Sequence, residues 1–242
     1  FVAYNLADAR LVTRILATTR LVDLAVERSL LTGMPLDRVS TRIASFDFLY
    51  LIELRRRGRV APTVQGRATE PTAGGAVLEP IPGLHDRILG FDFKSLYPSL
   101  ILTFNLDPAG YVPSPGPDED LIRAPNGAAF RREPGILPEI LQRLFPRREA
   151  AKQSGDALTS QAIKILMNSF YGVLATPACR FYSSPVANAI THFGQSILLW
   201  AKRHMEEAGH RVLYGDTDSL FVESNTATAE YALRVGRELA DA

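Results

Sequence analysis

An α+β fold, in which a long helical hairpin is set between a single strand and a β-hairpin, is what this sequence predicts. Three observations carry the prediction. Two helical patterns between Leu137 and Gly172 are interrupted only by Ser154-Gly155-Asp156, as in an antiparallel pair of helices. The stretch His210 to Glu223 alternates as one strand, a turn through Gly215-Asp216 and a second strand. The run Arg87 to Phe93, RILGFDF, is short and apolar and suits a buried strand.

Ahead of these elements, Leu11, Ile15, Leu21, Leu24 and Val26 recur loosely at helical spacing from Tyr4 to about Leu31, with Gly33 and Pro35 closing the run. Thr41 to Arg57 is a second helical stretch ending at Gly58, and Ala61 to Gly75 comes next as an irregular boundary segment. Pro113 to Pro134 is rich in proline, glycine and charge and suits a loop. Pro185 to Gly209 is expected as a long helix capped by Gly209, and a further helix is expected after the β-hairpin. No internal repeat is visible.

Composition narrows the class of protein. The chain has 242 residues, 46% of them hydrophobic and 22% charged, which is globular rather than disordered. No stretch approaches the roughly 20 apolar residues of a membrane helix, and Phe1 to Arg10 lacks the features of a signal peptide, so a cytosolic setting and no membrane partner are expected. Cys179 is the single cysteine, which excludes an internal disulfide and a cysteine-based zinc site and suggests a small buried apolar side chain. The net charge of +1 hides two basic stretches, LRRRGRV at Leu54 to Val60 and RLFPRREAAK at Arg143 to Lys152. Each is either a solvated face or half of a polyanion site.

Three segments carry chemistry. In LYGDTDSLFV, Leu213 to Val222, Asp216 and Asp218 stand beside a tight turn. Two residues apart on extended backbone they face one side, and like charges that close call for a hard cation such as Mg²⁺; the alternative is an exposed turn whose aspartates satisfy backbone N–H groups. In GFDFKSLYPSLI, Gly90 to Ile101, Asp92 ends an apolar strand. If that strand lies beside the hairpin, three carboxylates converge, enough for a two-metal site; the alternative is an aspartate that merely caps the next stretch of chain. In QAIKILMNSFYG, Gln161 to Gly172, Lys164, Asn168 and Tyr171 share one helix face while Ile163, Leu166 and Phe170 lie elsewhere. With Arg148 and Lys152 at i and i+4 on the facing helix, the hairpin offers three cations to one polyanion, or three charges to solvent.

Asp92 within DFKSLYPSLI, Lys164 to Gly172 as KILMNSFYG, and Tyr214 to Ser219 as YGDTDS resemble the three polymerase motifs of B-family DNA polymerases, in the same order. ATPACRFY at Ala175 to Tyr182 is similar to the bacterial DNA polymerase II group in particular, and GILPEIL at Gly135 to Leu141 matches the start of the family's fingers. The resemblance implies a palm of antiparallel sheet with helices and an inserted helical-hairpin fingers. Residues 1–60 would be the helical end of a 3′–5′ exonuclease domain and a connection, 61–135 the first part of the palm, 136–172 the fingers and 173–242 the second part of the palm. It implies template-directed addition of deoxynucleotides to a primer 3′-hydroxyl, with two Mg²⁺ ions, primer–template DNA, deoxynucleoside triphosphates and, through a region outside this chain, a sliding clamp. A bacterial, cytoplasmic, nucleoid-associated protein is expected on the same ground.

By that match Asp92 and Asp218 ligate both metals, with the Phe93 carbonyl as a further ligand and Asp216 nearby in a lesser role. Arg148, Lys152, Lys164 and Asn168 hold the triphosphate, with Lys164 also catalytic, and the N–H groups of Ser95 and Leu96 meet the phosphates. Tyr97 lies under the deoxyribose and excludes a 2′-hydroxyl. Tyr171 and Gly172 border the nascent base pair, and Tyr214, Gly74 and Gly75 contact DNA. Two features depart from the family. Tyr4 and Asp8, in YNLAD, match only the last exonuclease motif, so proofreading is not expected of residues 1–242, and most of the exonuclease and the thumb are expected to be absent. A tyrosine usually precedes the paired glycines, where this chain has Thr72-Ala73. A degenerate module that binds DNA or a partner without catalysis is the competing reading, but loss of Asp92, Asp218 or Lys164 would signal it, and all are present. A palm-fold nucleotidyl cyclase would explain the paired aspartates and not the KILMNSFYG helix.

Overall fold

The computed structural model describes residues 1–64 and 70–241. In chain order these form helices α1 (Val2–Thr19), α2 (Leu21–Thr32) and α3 (Arg42–Arg56), strand β1 (Ile88–Asp92), helix α4 (Leu96–Thr103) and short strands β2 (Tyr111–Val112), β3 (Ile122–Arg123) and β4 (Ala129–Phe130). Next come helices α5 (Ile136–Gln153), α6 (Ala157–Leu174) and α7 (Ser184–Glu207), strands β5 (Val212–Asp216) and β6 (Ser219–Glu223), and helix α8 (Ala229–Asp241). The α+β class holds. The middle of the boundary segment expected at Ala61 to Gly75, residues 65–69, lies outside the described residues.

The chain divides into two compact units, one of Phe1–Ala68 with Ile136–Tyr182, the other of Thr69–Gly135 with Ser183–Ala242. In the first, the expected break between α5 and α6 is present. Gly155 takes φ +74°, and the Asp156 carboxylate caps α6 by accepting from the Thr159 N–H at 3.0 Å. Ile163, Leu166 and Phe170 are buried on α6, and Phe170 joins a ring cluster with Phe46, Tyr50 and Phe181, with centroids 5.7 Å apart for Phe46–Phe170 and 4.5 Å for Tyr50–Phe181. Arg180 closes the cluster's edge on Asp47 at 3.0 Å. Cys179 is buried, and that burial pushes its thiol up to about 11, an inert core side chain as expected.

The helix expected from Tyr4 to Leu31 is two helices. Arg20 turns into the left-handed region at φ +53° and ends α1, and its guanidinium binds Asp23 at 2.9 Å. The basic stretch at Leu54 to Val60 is partly engaged in ion pairs: Glu53 accepts from Arg56 at 2.9 Å and from Arg143 of α5 at 2.7 Å, and Arg57 binds Glu139 at 2.8 Å. Burial by itself would raise the Glu53 pKa. The hydrogen bond and charge of Arg143, with those of Arg56, outweigh it and hold the carboxyl below its ordinary value.

In the second unit a three-stranded antiparallel sheet runs β1-β6-β5, with Asp92 opposite Ser219 and Ser219 opposite Asp216. Helix α7 covers one face, packing Leu198, Ala201 and Met205 on Val212, Leu220 and Val222. The β-turn falls at Thr217-Asp218, two residues later than Gly215-Asp216 predicts. Gly215 is instead buried within β5, where a Cβ would meet Leu220 at 2.7 Å and Leu78 at 2.8 Å, so this glycine serves close packing rather than the turn. The expected loop from Pro113 to Pro134 contains part of a second small sheet, β2-β4-β3. Strands of two residues are too short to show alternation in the sequence.

Candidate active site

The acidic end of the main sheet is built by a strand and a hairpin tip. Apolar Ile88, Leu89 and Phe91 give β1 its strand character, but the strand is not buried as expected, since its residues alternate between exposed and half-buried, and it ends at Asp92 with an exposed side chain. The Phe93 N–H then donates to the Asp218 carbonyl at 2.8 Å, carrying the ladder one step beyond β1 and drawing the Asp92 segment against the tip. Asp216 and Asp218 do not face one side through extended backbone, as the spacing predicts. Thr217 between them sits at φ +55°, and the Asp218 N–H folds back to the Asp216 carbonyl, so the tight turn sets their separation.

Asp218 is half-buried, and its carboxyl is held above the usual carboxylate range by that burial, then by the Asp92 charge, then by Asp216. Three carboxylates thus share one end of the sheet, and Asp218 feels the charges of the other two. Their side chains do not form a cluster of three metal-ligating groups, and no such cluster occurs among the described residues. The donor chemistry still fits a hard cation: oxygen ligands only, with a carboxylate whose ionised form is penalised until positive charge is supplied.

Beside this end, Ser95 at φ +54° stands at the N-cap of α4 and Leu96 begins the helix, where the helix dipole favours an anion. Tyr97 is half-buried, and its ring packs on α7 where a Cβ at Gly194 would lie 3.2 Å from it; Pro98 behind it is buried. Tyr214 stacks on Phe221 with centroids 6.0 Å apart. Gly74 has open space where a side chain would be, whereas Gly75 lies against Thr217.

In the other unit, Lys164 and Asn168 are exposed on α6 and Tyr171 is half-buried, its phenol pKa raised by that burial. Gly172 also has open space for a Cβ. Lys152 is exposed and pairs with Glu149 at 3.0 Å. Arg148, expected among the exposed cations, is 9% exposed. It stands on the row of Leu137, Leu141 and Leu144, the inward side of α5, and a guanidinium there has little access to solvent. Tyr4 and Asp8 lie one turn apart on α1, which buries no residue. Residues that the pattern did not single out are Asn188, Gln195 and Thr217. The first two are polar positions seven apart on α7, a spacing that marks one helix face.

Set against known proteins, residues 35–242 match the family model of DNA polymerase family B. DNA polymerase II of Escherichia coli (strain K12) is 42% identical over 240 residues, covering 98% of this chain and 30% of that protein. The DNA polymerase of Archaeoglobus fulgidus is 34% identical over 242 residues, covering 93% of this chain and 30% of that protein. A solved family B DNA polymerase of the hyperthermophilic archaeon Pyrobaculum calidifontis superposes with a TM-score of 0.71 at 32% identity, over 92% of this chain and 31% of that one. The chain therefore spans about 30% of the length of these curated relatives. No helix among the described residues is long and apolar enough to cross a membrane. With a family model matched over most of its length and two relatives more than 30% identical across nearly all of it, the chain belongs to DNA polymerase family B.

Proposed function

We propose that this chain is the catalytic core of a template-directed DNA polymerase, joining a deoxynucleotide to a primer 3′-hydroxyl with release of pyrophosphate. The observation that carries the proposal is the meeting of Asp92 and the Asp216–Asp218 hairpin tip at one end of the sheet, in a chain of polymerase family B. The unit holding that sheet is assigned as palm and the α5–α6 hairpin as fingers, with residues 1–60 as the end of an exonuclease domain.

Asp92 and Asp218, with the Phe93 carbonyl, would hold two Mg²⁺ ions, and Asp216 would support them. Bound there, such ions activate the attacking oxygen and stabilise the leaving one. The remaining roles fall to the protein's own groups. Lys164, Asn168, Lys152 and Arg148 bind the triphosphate, and charge-assisted hydrogen bonds of this kind strengthen as negative charge moves toward the departing pyrophosphate. The α4 N-terminus at Ser95 and Leu96 orients the phosphates. The Tyr97 ring bounds the sugar, and Tyr171, Gly172, Tyr214, Gly74 and Gly75 contact the DNA.

Primer extension with Mg²⁺ and deoxynucleotides, on this chain and on one continued at both ends as in its relatives, tests the proposal. Extension by the longer protein, abolished by Asp218→Asn, is expected. DNA binding without extension in the longer protein supports a non-catalytic module instead.

A further inference from the structure

Residues 71–81 form a strap along the edge of the carboxylate hairpin, and its attachments are denser than a connecting segment needs. On the hairpin side, the Thr217 N–H donates to the Ala76 carbonyl at 2.8 Å, the Leu78 N–H to Gly215 at 2.8 Å and the Ile81 N–H to Leu213 at 2.9 Å, and Val77 bridges Asp216. On the helix side, Asn188 Oδ1 accepts from the Ala73 N–H at 2.8 Å, and Gln195 Nε2 donates to the Gly74 carbonyl at 2.7 Å. The strap thus ties α7 to the tip that bears Asp216 and Asp218.

Two glycines interlock the parts. A Cβ at Gly75 would clash with the Thr217 hydroxyl and lie 2.9 Å from its Cβ and Cγ2, and a Cβ at Gly215 would lie 2.8 Å from Leu78. Gly75 has no left-handed φ to explain it, so the fit to Thr217 is what requires a glycine there. Thr217 is itself held at φ +55°, which a β-branched residue adopts at a cost, and its hydroxyl donates to Asp216 Oδ1 at 2.9 Å. Its neighbours on either side are the two hairpin carboxylates.

We infer that the strap is a positioning device for these carboxylates: Gly75 receives Thr217, and Asn188 and Gln195 hold the strap so that Thr217 stays in its strained conformation and aims Asp216 and Asp218. The inference rests on the proposed catalytic role of the hairpin, but its structural half stands apart from that role. Displacing reacting groups by about 1 Å costs about 100-fold in rate.

The test uses a primer-extending polymerase that contains this sequence, with Asp218→Asn alongside to check the catalytic role of the hairpin. Gly75→Ala should lower kcat about 100-fold with the nucleotide KM little changed, and should lower hydrogen-exchange protection of the Thr217 amide about tenfold. In a Thr217→Gly background, where the obstructing atoms are gone, Gly75→Ala should change the amide protection of residue 217 by less than about threefold. Gln195→Ala, on the surface of α7, should fold normally and lower kcat about fivefold, the equivalent of one hydrogen bond. Wild-type Thr217 protection in Gly75→Ala and Gln195→Ala overturns the inference whatever the enzyme does, as does an equal loss of residue-217 protection in both Thr217 backgrounds. Loss of protection with an active Asp218→Asn enzyme would leave the strap in place and overturn the catalytic assignment, and with it the positioning role.

Discussion

Asp218 shows how a residue suited to bind a cation works against the fold that carries it. Burial, Asp92 and Asp216 all raise its carboxyl pKa. A group whose folded pKa exceeds its unfolded value binds its proton more tightly in the folded state. Its penalty is therefore absent below the unfolded value of about 3.9, where it is protonated in both states, and is complete once pH has passed the folded value. In buffer free of divalent ions, Asp218→Asn should raise the melting temperature at pH 7, with the difference closing below about pH 4. Mg²⁺ should then stabilise the wild type more than the variant. A lower melting temperature for Asp218→Asn at pH 7 would contradict the assigned electrostatics. Tyr97 gives a second prediction at this scale. Its ring rests on α7 at Gly194 and is backed by buried Pro98, a firm seat for the proposed role of rejecting an added 2′-hydroxyl by overlap. Tyr97→Ala should raise ribonucleotide use by about two orders of magnitude, while Tyr97→Phe stays within a few-fold of wild type. The ratio of kcat/KM for the two sugars, measured in folded enzymes, is the check.

Among the elements, α5 and α6 divide their basic residues between two environments. Lys164 is exposed on α6, whereas Arg148 is nearly enclosed on α5. Lys164→Ala should leave the melting temperature within about 1 °C of wild type while slowing incorporation, since one charge-assisted phosphate contact is worth about 2–4 kcal/mol. Arg148→Ala should raise the nucleotide KM and also destabilise the fold by about 1–3 kcal/mol, because its stem and guanidinium fill a closed space. Denaturant titration separates the two, and equal stability of both variants would contradict the enclosed placement of Arg148. The hairpin break itself was legible in the sequence, because Gly155 and Asp156 are local signals for a turn and a cap. The break at Arg20 was not: no glycine, proline or capping residue marks it. The two-residue strands β2, β3 and β4 escaped notice for want of length.

Taken as a whole, the molecule carries a net charge of only +1, so the DNA binding proposed for it would rest on placed cations rather than on its overall field. The basic stretch after Leu54 does not qualify as such a site throughout, since Arg56 and Arg143 are paired with Glu53 and Arg57 with Glu139. Arg56→Ala should accordingly change the slope of log K against log salt for DNA binding by well under the ~0.9 per phosphate contact on duplex DNA, and a full unit of change would place Arg56 on the DNA. The sequence by itself determined the α+β class, the helical hairpin and the three segments bearing the acids and cations, because periodicity, turn chemistry and motif order are all local properties. Only the tertiary structure decided that Asp92 reaches the hairpin tip, that Arg148 lies inward and that Gly75 faces Thr217. Contacts such as Gln195 to Gly74, 121 residues apart, leave no mark on either stretch of chain alone, since each is set by packing between elements rather than by the preferences of its own residues.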